Sequence, residues 1–115
     1  MAKLEMTLRG NFDEVLHDIT EAILKGSISA SQEDSSEFYT ETSRMGVYVF
    51  ERYSIWGSNR VSLTLSLLQN HGEDLIYASA ITSGGSQAVF FKLDTWGEET
   101  FLEKAEKAMS PHRAI

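Results

Sequence analysis

Two apolar segments, Tyr77–Thr82 and Ala88–Leu93, flank the sequence Ser83-Gly84-Gly85-Ser86. No other stretch constrains the chain as tightly. A two-residue hairpin turn of the primed types needs positive φ at one or both central positions, and glycine adopts it without Cβ strain. The expectation is a pair of antiparallel strands whose register the Gly84-Gly85 pair pins. The same four residues make a weak candidate for an anion nest. They lack the spacing of a phosphate loop or a dinucleotide fingerprint, and a strand rather than a helix follows them.

The segments upstream extend the sheet. In Arg60–Leu68 the residues Val61, Leu63, Leu65 and Leu67 alternate with Ser62, Thr64 and Ser66, the period-2 pattern of a strand with one buried face. Leu4, Met6 and Leu8 alternate in the same way with Lys3, Glu5, Thr7 and Arg9. In Leu75–Thr82, Ile76, Ala78 and Ala80 lie on one side, and the small alanines allow a helix to approach closely. Met45, Val47 and Val49 point one way and Tyr48 and Phe50 the other, so this strand is apolar on both faces. Trp56-Gly57-Ser58-Asn59 and Asn70-His71-Gly72 supply turns. Ser27–Gln32 reads as a short strand. The Ser-, Thr- and Glu-rich run that follows, through Ser43, reads either as a loop or as strand extension on an exposed edge.

Two helices complete the pattern. Asn11 followed by Glu14 has capping-box spacing. Phe12, Val15, Leu16, Ile19, Ala22 and Ile23 then recur at helical period, with Gly26 in the place of a C′ glycine. Thr95 with Glu98 repeats the cap spacing ahead of the stripe Phe101, Leu102, Ala105, Ala108 and Met109, and Pro111 ends it. The order is β-α-β(5)-α. It predicts a two-layer α+β domain over residues 1–115, with a mostly antiparallel, curved sheet and both helices on one face. The arrangement is similar to TATA-binding-protein-like and helix-grip folds, although the second helix is short for a helix-grip domain.

Composition narrows the function classes. A net charge of −7 disfavours nucleic acid and anionic membrane surfaces as partners, since both require a basic face. With no cysteine, neither a disulfide framework nor thiolate chemistry is available. The first residues, MAKLEMTLRG, alternate polar and apolar side chains without the continuous apolar core of a signal peptide, so a cytoplasmic setting is expected. No run approaches the ~18 apolar residues of a membrane span.

Three segments together resemble a family of small, functionally uncharacterised bacterial proteins. They are GSISASQEDSS at Gly26–Ser36, ERYSIWGSNRVSL at Glu51–Leu63, and AITSGGSQAVFFKLDTWGEETFL at Ala80–Leu102. The resemblance implies a free-standing bacterial domain and carries over no activity.

No pair of histidines among His17, His71 and His112 has metal-ligand spacing, so surface positions are expected for them. The acidic run Glu33–Glu37 lacks the glycine and closing glutamate of a calcium loop. No acid/base pair or activated nucleophile stands at recognisable spacing, and no cofactor motif is present. Glu51 and Arg60 flank the Trp56-Gly57 turn and are expected to form a cross-strand ion pair. The alternative is a buried Arg60 that binds a carboxylate or an aromatic ligand beside Tyr53 and Trp56.

The leading expectation is a non-enzymatic interaction module, a homodimer or a partner for another protein, that uses an exposed sheet face. Its surface residues are Tyr48, Phe50, Tyr53, Trp56, Arg60 and Trp96. Tyr48 and Phe50 belong to that surface if Met45, Val47 and Val49 face the helices. The alternative is a small-molecule binder with a pocket between the sheet and the C-terminal helix, where Phe90, Phe91, Trp96 and Phe101 gather.

Overall fold

The computed structural model describes residues 1–27, 29–53, 60–84 and 101–115. Its elements are β1 (Ala2–Arg9), α1 (Phe12–Lys25), β2 (Ser31–Tyr39), β3 (Ser43–Tyr53), β4 (Arg60–Asn70) and β5 (Leu75–Gly84). A second helix, α2, is described over 101–109, and a single 3-10 turn at Ser110–His112 follows it. The turn at Trp56–Asn59, the strand at Ala88–Leu93 and the Thr95–Glu98 cap all lie outside the described residues.

The five strands form one antiparallel sheet in the order β1-β5-β4-β3-β2. After α1 the chain meanders from β2 to β5, and β1 closes the far edge beside β5. The buried face consists of Leu4, Met6 and Leu8 on β1, Ile76, Ala78 and Ala80 on β5, and the four apolar residues from Val61 to Leu67 on β4. Phe12, Val15, Ile19 and Ile23 of α1 join the same core cluster as Phe101, Ala105 and Met109 of α2. Both helices therefore cover one face of the sheet, in the expected α+β arrangement. Lys104 of α2 lies against Gly26 at the end of α1, while His112 beyond α2 bonds Asp18 at 2.9 Å. The two helices thus run antiparallel.

The start of α1 follows the sequence signal closely. The Asn11 side chain accepts the Glu14 N–H at 3.1 Å, satisfying one of the orphan amides of the first turn. Its end differs from expectation. Gly26 has φ −74°, an ordinary right-handed value, so no left-handed cap is formed. Glycine is required there for space: a Cβ would lie 2.6 Å from the Lys104 side chain and 2.9 Å from the Ala22 carbonyl oxygen.

Of the two readings of the polar run before Ser43, the edge strand is the one observed. β2 begins at Ser31 rather than Ser27 and continues to Tyr39, exposed along its whole length. An irregularity between Gln32 and Asp34 shifts its register against β3. An acidic, bulged edge strand is a poor template for pairing with another chain. At the opposite edge, the C-terminal segment bridges Leu8 through Arg113, and the Ala114 N–H donates to the Thr7 carbonyl at 2.9 Å.

Candidate functional site

Among the described residues, both helices lie on one side of the sheet and no helix lies over the other. Antiparallel register places its side chains in rungs that cross the strands. One rung runs Thr7, Tyr77, Leu68, Met45, Phe38 from β1 to β2. Tyr77 is 44% exposed, Leu68 and Met45 38% each, and Phe38 60%. Four large apolar side chains on four adjacent strands thus form a continuous ridge. The next rung runs Glu5, Ser79, Ser66, Val47, Ser36, and its short side chains leave a trough beside the ridge. A cleft of about 430 Å³ lies there, lined by Tyr77, Leu68 and Met45, by Ser66 and Ser79, and by Arg113 and Ile115 at the β1 end.

Several charges on this face are paired with one another. Arg9 holds Asp74 with both carboxylate oxygens at 2.9 Å from one guanidinium nitrogen, and Lys3 stands 3.8 Å from Glu5. Arg60 pairs with Glu51 and lies 4.0 Å from Glu33. The expected cross-strand pair is therefore present. Arg60 is more than half exposed, with its guanidinium 5.8 Å from the centre of the Tyr53 ring, so it is not the buried cation of the alternative reading. Tyr53 lies on the same open face, half-exposed.

Tyr48 and Phe50 require a correction. They are 3% and 0% exposed and belong to the core, while Met45, Val47 and Val49 face outward. Periodicity leaves the orientation of β3 open because both of its faces are apolar. Pairing with β4 decides it: Tyr48 lies opposite Leu65 and Phe50 opposite Leu63, in the row that must face the helices. Trp56 and Trp96 lie outside the described residues, as do Phe90 and Phe91. At the described junction of sheet and α2, Phe101, Ala105 and Met109 are fully buried. Among the described residues, a cleft of about 250 Å³ beside β1 is lined by Lys3, Leu4, Leu102, Glu103 and Glu106.

A polar cluster at the β2 end of the core has no counterpart in the sequence motifs. The Arg44 guanidinium stacks 3.9 Å from the Phe12 ring centre and 5.0 Å from that of Tyr39. It pairs with Asp13 at 2.8 Å and Glu37 at 3.5 Å. The Tyr48 hydroxyl donates to the second oxygen of Glu37. Asp13 is held below the usual carboxylate range, chiefly by the hydrogen bond from Arg44. Burial, reinforced by the Glu37 carboxylate, pushes the Tyr48 phenol well above its usual range. The local trace of this cluster in the sequence is the spacing of Arg44 and Tyr48, four residues apart and so on one face of β3. Its chemistry is that of a structural clamp joining the edge strand to the start of α1.

Residues 1–113 match a family described only as of unknown function, DUF6054. The chain belongs to that family. No curated protein and no solved structure matches it. Among the described residues, no group of three or more His, Asp or Glu side chains stands in position to hold a metal ion, and no helix is long and apolar enough to cross a membrane. His17 and His71 lie on the surface, as expected, near Glu21 and the Glu41 carbonyl respectively. Only His112 is drawn into the fold, against Asp18.

Proposed function

We propose that this DUF6054 chain is a self-association module rather than an enzyme, and that the open face of its sheet is the working surface. The observation that carries the reading is the apolar ridge Tyr77, Leu68, Met45, Phe38, on a face that no helix covers among the described residues. A contiguous apolar strip bordered by hydroxyl groups marks an interaction surface more often than an ordinary solvated one.

The charge distribution supports a second copy as the partner. Two chains of net charge −7 repel over most of their surface, but on the open face Arg9, Lys3 and Arg60 each stand beside a carboxylate. Docking there costs less repulsion than docking through the unpaired acidic surface. The resemblance to small, free-standing bacterial proteins favours a bacterial cytoplasm as its setting.

Size-exclusion chromatography with light scattering at low micromolar concentration tests the proposal. A dimer that becomes a monomer on Tyr77→Glu is the expected result. A strict monomer overturns the reading, and so does a dimer indifferent to that substitution.

A further inference from the structure

The ridge and the trough lie side by side, one residue pair apart along the strands, and each is about as wide as the other. A surface with that profile complements itself when it is turned over. We propose that two copies dock open face to open face about a two-fold axis that runs between the two rungs and parallel to them. The ridge of each copy then fills the trough of the other. The inference rests on the self-association reading and adds the geometry of the interface to it.

A two-fold axis along the rungs leaves each strand facing its own counterpart and reverses the strand direction. The rung Tyr77, Leu68, Met45 of one copy is carried onto the rung Ser79, Ser66, Val47 of the other. Leu68 seats on Ser66 and Tyr77 on Ser79, a large side chain over a small one on β4 and β5, while Met45 meets Val47 on β3. A two-fold axis along the strands instead superposes ridge on ridge and leaves the trough empty, sacrificing the dispersion contacts of both.

The available area is sufficient. Five strands about 4.8 Å apart, with about eight to eleven residues each rising ~3.3 Å, give a footprint of about 700 Å², close to the ~800 Å² per partner of a stable complex. Sheets packed face to face lie ~10 Å apart with strand directions within ~30°, which keeps the rungs in register across the interface.

The natural chain has no cysteine, so single introduced cysteines report without background. Ser36 and Glu5 sit at opposite ends of the trough rung, on β2 and β1. Under the proposed axis, each meets its own copy at ~12 Å, from the sheet spacing and residue rise. Ser36→Cys and Glu5→Cys dimers should each crosslink with a short bifunctional maleimide, and a mixture of the two should give no crosslink between different variants. The reverse result, Ser36 joining only to Glu5, overturns the axis while leaving self-association standing. A monomer by light scattering removes both.

Size complementarity supplies a second measurement. Ser66→Leu places leucine on leucine and Leu68→Ser places serine on serine, and each should weaken the dimer about tenfold or more. The double variant exchanges ridge for trough on β4 and should recover most of that loss. Additive losses in the double variant count against the proposed seating. Circular dichroism of each variant confirms that the sheet itself is intact.

Discussion

Gly46 and Tyr48 share one space on the inner face of β3. A Cβ at Gly46 would stand 2.0 Å from the Tyr48 hydroxyl oxygen and 2.4 Å from the adjoining ring carbon. The ring lies across the glycine and shields a backbone that has no side chain of its own, an arrangement that offsets the weakness of glycine in a strand. Gly46→Ala should therefore cost about 1–3 kcal/mol, as overpacking in a closed site does, read from the urea midpoint. Gly46→Ala combined with Tyr48→Val should cost less than the sum of the two single changes, because one space is at issue. Tyr48 also imposes a pH limit. Its phenol is raised in the folded state, so its contribution is complete below the unfolded pKa of ~10 and declines as pH rises beyond it. In an absorbance titration of the four tyrosines, one should resist ionisation until the chain unfolds. Tyr48→Phe should abolish that late step, and a titration in which all four ionise together would falsify the assignment.

At the scale of elements, β2 is the exposed margin of the sheet, and Arg44 is what ties it to α1. The guanidinium lies between Phe12 of α1 and Tyr39 of β2, with Asp13 and Glu37 as counter-ions from the same two elements. Only 15% of the Arg44 side chain is exposed, so the contact is less screened than an ordinary surface pair. Lysine retains the charge but neither stacks in this way nor presents a planar fork. Arg44→Lys should raise hydrogen exchange over 35–39 while the amides of β4 and β5 keep their protection. Equal loss of protection in all three strands would show that Arg44 supports the whole core and not one edge. Acid should loosen the same edge. The Asp13 carboxyl is lowered, so its contribution is present above the unfolded pKa of ~4 and is lost as pH falls below it. Because Asp13 is largely exposed, that loss amounts to a few tenths of a kcal/mol.

For the whole molecule, association through the open face predicts coupling between stability and concentration. A dimer stabilises the folded chain by mass action, so the melting temperature of the natural chain should rise by several degrees between micromolar and hundred-micromolar protein. The Tyr77→Glu variant should melt at one temperature throughout that range. Calorimetry at three concentrations distinguishes the two behaviours. A concentration-independent natural chain would mean that the ridge remains in water.

The amino-acid sequence by itself determined the element types, because their cause is local. Alternation specified β1, β4 and β5, and the Asn11 cap with its 3.6-residue stripe specified α1. The Glu51–Arg60 pair followed from strand pairing, and with it came the α+β class. Three matters were decided only in the tertiary structure. The facing of β3 depended on which side of β4 its residues meet, since neither of its own faces is polar. The extent of β2 depended on bonds to β3, because SQEDSSEFY has neither alternation nor a buried face. The Arg44 cluster joins residues up to 36 positions apart, from Phe12 to Tyr48, that no local spacing connects. Period and capping act over a few residues, whereas register, facing and ion-pair networks are settled only when distant segments share one core.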